Sequence, residues 1–267
     1  SAFIQRFDNG AIANRLEKQI CDMLNTGDED NHRWIRQDPD FPDVLLLDED
    51  GESTGFGYEV KAWYVMSTEI TGRFRDSLNL LASKQIQVAV VAWHMSDLVF
   101  GQPRISGVYM TDAVDLAAAR DRHYYRPPDY VLEEPGDTTD RTRNLQQSNV
   151  AGYKWQETDS TRLIEAKRLM AGHAGQDAPS HSPEAQRLVA DLRSQFNYRT
   201  DTNFSKIDRI DHGGLEEFKE RCLETPWKGK TFKDWRTCFR DLNKRPDSPA
   251  GKLALRSVQA LYQEPLT

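Results

Sequence analysis

Asp43, Glu59 and Lys61 are the residues of this chain whose types and spacing could carry chemistry together. Asp43 opens the apolar run Val44-Leu45-Leu46-Leu47, and Glu59 and Lys61 flank Val60 in a second run. In a strand, residues i and i+2 share a face, so Glu59 and Lys61 point the same way. The turn Asp48-Glu49-Asp50-Gly51 lets the two runs pair, which brings Asp43 beside that face. Hydrolysis needs an activated water and relief of the charge that develops in the reaction. A divalent ion such as Mg²⁺ held by two carboxylates supplies both, because it keeps several of its waters when bound. Asp43 and Glu59 are the expected ligands, with the Val60 carbonyl as a third. A lysine beside two carboxylates is held protonated, so Lys61 acts more readily as a stabiliser of charge than as a base, and both roles stay open.

An edge strand with solvated charges is the ordinary explanation of such a triplet, and three features argue against it. Asp43 follows Pro42 and precedes four apolar residues, at a strand mouth rather than on an outer face. Glu59 and Lys61 are interleaved with Tyr58, Val60 and Trp63 in a run that otherwise reads as buried. The flanking segments then come in an order that suits a site. Asp40, in Asp38-Pro39-Asp40-Phe41-Pro42-Asp43, is a rival to Asp43. Asp43 is favoured because the apolar strand begins directly after it.

The elements that must position these residues are legible in outline. Ile12, Leu16, Ile20 and Met23/Leu24 recur at helical spacing, with Asp8 or Asn9 as cap. His32–Arg36, Asp43–Asp48 and Phe56–Tyr64 read as three strands. Phe74, Leu78 and Leu81 predict a helix over Thr71–Ser83. The run Gln87–Trp93 reads as a strand buried on both faces. Ile105–Met110 adds a strand and Asp112–Arg122 a helix. Ser182-Pro183-Glu184 is a helix start, and further helices are expected at 214–223 and 251–262. The expected division is a mixed α/β core over 1–125 and a loop-rich, helical extension over 126–267, continuous with the core as a single domain.

The Asp43…Glu59-Val60-Lys61 pattern and this order resemble the PD-(D/E)xK nuclease superfamily, the fold of most type II restriction endonucleases. The resemblance covers roughly the first hundred residues. It implies an α-β-β-β-α-β core with a central mixed sheet flanked by helices. It also implies a Mg²⁺-dependent enzyme, with Mn²⁺ able to substitute, that cuts double-stranded DNA at a short specific sequence. Many members carry a Glu on the helix before the sheet that helps hold metal or water, which makes Glu17 an outer partner. A homodimer on a palindromic site, a cognate DNA methyltransferase acting on that site and a cytoplasmic setting in a bacterium or archaeon follow from the same resemblance. Two other readings stand beside it: a repair or recombination nuclease on the same fold, and a DNA-binding module without catalysis.

The net charge of −7 does not exclude DNA, because the charge is polarised along the chain. Residues 27–52 carry ten acids against Arg33 and Arg36, whereas 228–245 carry seven bases against two acids. Arg reads guanine and Asn or Gln reads adenine in the major groove. Arg141, Arg143, Asn144, Gln146, Gln147 and Asn149 offer those groups on one aperiodic stretch, and Arg199 stands in a second. Lys228, Lys230, Lys233 and Arg236, among Trp227 and Trp235, suit phosphate contacts. That stretch equally suits a helix with its aromatics inward and its bases outward. Three cysteines without a CxxC pair point to a reducing compartment and no zinc site. No apolar run reaches the roughly 20 residues that span a bilayer, and the N-terminal residues show no secretory pattern. No phosphate-binding GxxxxGK[ST], GxGxxG or GxSxG motif is present, which removes nucleotide-driven and α/β-hydrolase readings.

Overall fold

A computed structural model describes residues 9–27, 32–37, 40–98, 101–123, 130–133, 152–155, 198–199 and 203–263, with scattered helical positions between 161 and 195. Helix α1 (Asn9–Gly27) leads into strands β1 (Arg33–Arg36), β2 (Val44–Leu47) and β3 (Ser53–Tyr64). A single helical turn, α2 (Leu78–Leu81), precedes β4 (Gln85–Met95), β5 (Pro103–Asp112) and helix α3 (Ala113–His123). The fold is α/β, with one mixed sheet in the order β1-β2-β3-β4-β5. Neighbours run antiparallel except β3 and β4, which are parallel.

Alternation assigns the two faces. Val60, Val91, Trp93 and Met95 pack under Ile12 and Leu16 of α1. Trp63, Ile86, Val88, Val90 and Ala92 face the other way, into a larger cluster with Phe74 and Leu81. Strand β4 is thus apolar on both sides, as its continuous run predicts, and each such buried side chain contributes roughly 1.5–3 kcal/mol. Glu59 and Lys61 share the Trp63 face by the same period of two. They are the charged residues of a strand that is otherwise committed to two cores.

The helix expected over Thr71–Ser83 is not formed; only Leu78–Leu81 is helical, with Ser77 as its cap. Backbone pairing from a distant segment replaces it. Phe74 N–H donates to the Ser205 carbonyl at 2.8 Å, Ile207 N–H donates to the Gly72 carbonyl at 2.9 Å, and Arg73 bridges to Lys206. These bonds hold 72–74 open while Phe74 stays fully buried.

Beyond the sheet, β6 (Tyr130–Glu133), β7 (Gly152–Trp155) and β8 (Tyr198–Arg199) form a second, three-stranded sheet. The sequence reading missed β6 and β7, since four residues are too few to show a period. The remaining elements are helix α4 (Gly213–Glu224), the hairpin β9 (Pro226–Trp227) and β10 (Lys230–Thr231), and helices α5 (Phe232–Lys244) and α6 (Pro249–Gln263). Ile207, Ile210, Leu215, Phe218 and Phe232 enter the same cluster as Trp63, so residues 207–232 close the core from that side. Among the described residues no helix is long and apolar enough to cross a membrane.

One glycine sets the spacing between β2 and β3. A Cβ on Gly57 would stand 2.5 Å from both the Pro42 ring and the Val44 carbonyl. Gly57→Ala is therefore expected to destabilise the fold by about 1–3 kcal/mol through overpacking and to push Asp43 away from β3. A urea midpoint equal to that of the wild type would show that β2 yields freely.

Candidate active site

The register of the central strands builds the site. Val44 pairs with Tyr58, so Asp43, one residue before β2, comes opposite Glu59. Past the start of β2 no further strand among the described residues pairs with β3 on that edge, and the Asp43 side chain takes over. Its Oδ2 accepts the Val60 N–H at 2.7 Å, and the Asp43 N–H donates to Glu59 Oε2 at 3.3 Å. Lys61 Nζ donates to Glu59 Oε1 and lies 4.0 Å from Asp43 Oδ2. The three side chains predicted to act together are brought together, with 10–20% of each exposed.

Burial dominates the electrostatics inside this cluster. Burial raises the pKa of Glu59, with Lys61 offsetting part of the effect and Asp43 adding to it. Asp43 is also raised, by burial first, against the pull of Lys61 and the Val60 N–H. For Lys61, burial works to remove the proton, but Glu59 and Asp43 outweigh it and hold the pKa above the ordinary lysine value. The ammonium is one counter-charge for two buried carboxylates, which leaves room for a second cation.

The donor set fits a hard divalent ion. N–H and C=O of one strand residue point to the same side, so the Val60 carbonyl shares the edge of β3 to which Asp43 is bonded. Two carboxylates and a carbonyl are all oxygen donors, few enough for Mg²⁺ to retain waters. Among the described residues no group of three or more His, Cys, Asp or Glu gathers as a metal site.

A pH dependence follows from the raised carboxyls. The unfolded chain releases these protons in the ordinary carboxylate range, while the folded protein keeps them to higher pH. The folded state therefore binds more protons across that interval, and stability falls as pH rises through the raised values. In EDTA, the urea midpoint of the wild type should decline over that interval more steeply than that of an Asp43→Asn/Glu59→Gln double variant. Parallel profiles would contradict the assignment of the shift to burial at this site.

The other predicted residues fall in several places. Glu17 is buried on α1 and its charge contributes to raising Asp43, but its Oε2 accepts Arg36 Nε at 2.8 Å. It stands behind the pair, tied to a guanidinium. Asp40 is exposed in the bend before β2, whereas Asp43 is bonded into the site. Of stretch 228–245, Phe232–Lys244 takes the helical form, with Phe232 and Trp235 buried and Lys233 outward, while Lys228 and Lys230 lie in the preceding hairpin. Lys228 pairs with Asp97 at 2.8 Å and Lys233 with Glu224 at 2.6 Å. Lys230 lies over the Trp235 ring, and burial pulls the pKa of half-buried Arg236 down, with Asp208 opposing. Arg199 lies in β8, while Arg141, Arg143, Asn144, Gln146, Gln147 and Asn149 lie outside the described residues.

The helix expected over Thr71–Ser83 sets Arg73 largely off its apolar face, and the sequence reading gives Arg75 no place. Their alternation about Phe74, i−1 and i+1, is the signal of an extended segment and could have found them. Compared with family models, curated proteins and solved structures, the chain matches none of them.

Proposed function

We propose that this chain is a Mg²⁺-dependent nuclease with a restriction-endonuclease-like fold, acting on double-stranded DNA at a short specific sequence in the manner of type II restriction enzymes. The observation that carries the reading is the convergence of Asp43, Glu59 and Lys61 on one edge of β3, within the element order α-β-β-β-α-β. Asp43 and Glu59, with the Val60 carbonyl, would hold the metal. When bound, Mg²⁺ (or Mn²⁺) would supply a Lewis acid for the phosphoryl oxygen and a more acidic water.

The chain's own groups do the rest. Lys61, kept protonated by the two carboxylates, presents a fixed positive charge where negative charge builds up on the phosphate. This favours the electrostatic role over that of a general base. Asp43, locked by Val60 N–H, keeps its orientation before substrate arrives, so no reorganisation is needed during reaction. Arg36 holds Glu17 close behind Asp43, a placement suited to orienting metal-bound water. A homodimer on a palindromic site, a companion methyltransferase protecting that site and a cytoplasmic location belong to the same proposal.

Incubation of plasmid DNA with the protein and Mg²⁺ tests it. Discrete fragments, absent in EDTA, support a sequence-specific nuclease. Smearing or cutting confined to branched DNA supports a repair or recombination enzyme on the same fold. Retarded but intact DNA supports a binding module and contradicts the enzymatic reading.

A further inference from the structure

Gln37 follows the last residue of β1 and continues the β1–β2 ladder by one rung. Arg36 pairs with Val44, and the Gln37 N–H donates to the Asp43 carbonyl at 2.8 Å. Its side chain then turns to the peptide before Asp43, where Gln37 Nε2 donates to the Pro42 carbonyl at 3.1 Å. One half-buried residue thus holds the backbone carbonyls on both sides of the Asp43 Cα.

The Pro42–Asp43 peptide is where the two carboxylates meet. A peptide group is planar, so fixing its carbonyl fixes the direction of its N–H. Here the carbonyl is taken by Gln37, and the N–H donates to Glu59 Oε2 at 3.3 Å. A hydrogen bond accepted by the carbonyl also polarises the amide and strengthens its N–H as a donor. Gln37 Nε2, the Pro42 carbonyl, the Asp43 N–H and Glu59 Oε2 therefore form one line from the end of β1 to a carboxylate of the site. The other carboxylate hangs from the same residue, with Asp43 Oδ2 on the Val60 N–H at 2.7 Å. Turning this peptide would take a donor from Glu59 and swing the Asp43 side chain off the edge of β3. An amide suits the task because it donates without adding charge, which leaves the carboxylates to Lys61 and a metal.

We infer that Gln37 is a positioning residue of the metal site. Its amide holds the Pro42–Asp43 peptide in the orientation that lets Asp43 and Glu59 bind one divalent cation together. This rests on the metal-dependent reading above, and it assigns Gln37 a role exerted through Asp43 and Glu59 rather than on the metal itself.

Mn²⁺ titration by calorimetry, with melting in EDTA, tests the inference for Gln37→Met, Gln37→Asn and Thr54→Val. Methionine keeps the length of the side chain and the backbone rung but cannot donate to Pro42. Thr54 is the matched control, since its Oγ1 donates to the Leu46 carbonyl at 2.9 Å, another side-chain bond to a β2 carbonyl but at the hairpin end of the strand. Gln37→Met is expected to weaken Mn²⁺ binding about 10-fold or more, as loss of a partner behind a metal ligand does. Its melting temperature in EDTA should stay within a few degrees of the wild type, and the Mn²⁺ concentration that half-saturates DNA cleavage should rise by the same factor as the affinity falls. Thr54→Val should bind Mn²⁺ as the wild type does. Wild-type Mn²⁺ affinity in Gln37→Met overturns the inference, and so does an equal loss in Thr54→Val, which would make the effect a general loosening of β2. If Gln37→Met does not fold, Gln37→Asn decides, because its amide is drawn back from the Pro42 carbonyl by one methylene. Weakened affinity in that variant supports the inference, and wild-type affinity overturns it. A wild type that binds no Mn²⁺ would sink the metal-dependent reading itself, a result distinct from a variant that binds as well as the wild type.

Discussion

Lys61→Ala is expected to slow DNA cleavage by about three orders of magnitude or more while leaving duplex affinity within a few-fold. Lys61 is, among the described residues, the positive charge in contact with both carboxylates, and it is held in place by Glu59 on one side and Gly72 on the other. Removing it takes away stabilisation that matters only when charge develops on the phosphate. Binding of a long duplex, which draws on many phosphate contacts, loses little. Stability is expected to fall by more than lost packing alone would explain, and in a pH-dependent way. Without the ammonium, two buried carboxylates face each other unneutralised, so the variant should unfold more readily at neutral pH and recover as pH falls. The two effects separate the lysine's roles, and full cleavage by Lys61→Ala would remove the catalytic assignment.

Divalent cations are expected to stabilise the wild type by about 2.7 kcal/mol at a concentration one hundred times the dissociation constant. For a chain of this size that is a rise of roughly 5–10 °C in melting temperature. Asp43→Asn should lose most of this gain. The amide still accepts the Val60 N–H but offers the metal no charge, so the fold survives and the ligand set does not. Neutralising a buried carboxylate also removes a desolvation cost, and the metal-free variant should be at least as stable as the metal-free wild type. A melting scan with and without Mn²⁺ reads both outcomes. An equal shift in wild type and Asp43→Asn would mean that the metal binds elsewhere.

The parts of the fold that were legible in the sequence are those fixed by local period. The pleat requires Glu59 and Lys61 to share a face, and the short turn and two apolar runs make β2 and β3 partners. The irregularity between Leu45 and Leu47, which brings Asp43 opposite Glu59 rather than Gly57, has no signal in the sequence. The α5 helix was readable as one of two forms because Phe232 and Trp235 carry a stripe that the bases do not share. The open segment before α2 was not readable, because Phe74, Leu78 and Leu81 have helical spacing while the bonds that keep 72–74 open come from 203–207. A local pattern lost to backbone partners more than a hundred residues away. The Glu17–Arg36 pair was half legible: the family resemblance singled out Glu17, but the guanidinium that holds it belongs to another element.

Sequencing the ends of the DNA fragments tests the central claim most directly. The account predicts that digestion with Mg²⁺ leaves ends sharing one short sequence, cut at a fixed position, and that Lys61→Ala yields no such ends under the same conditions. Ends without a common sequence, or wild-type DNA as intact as that of Lys61→Ala, would contradict it.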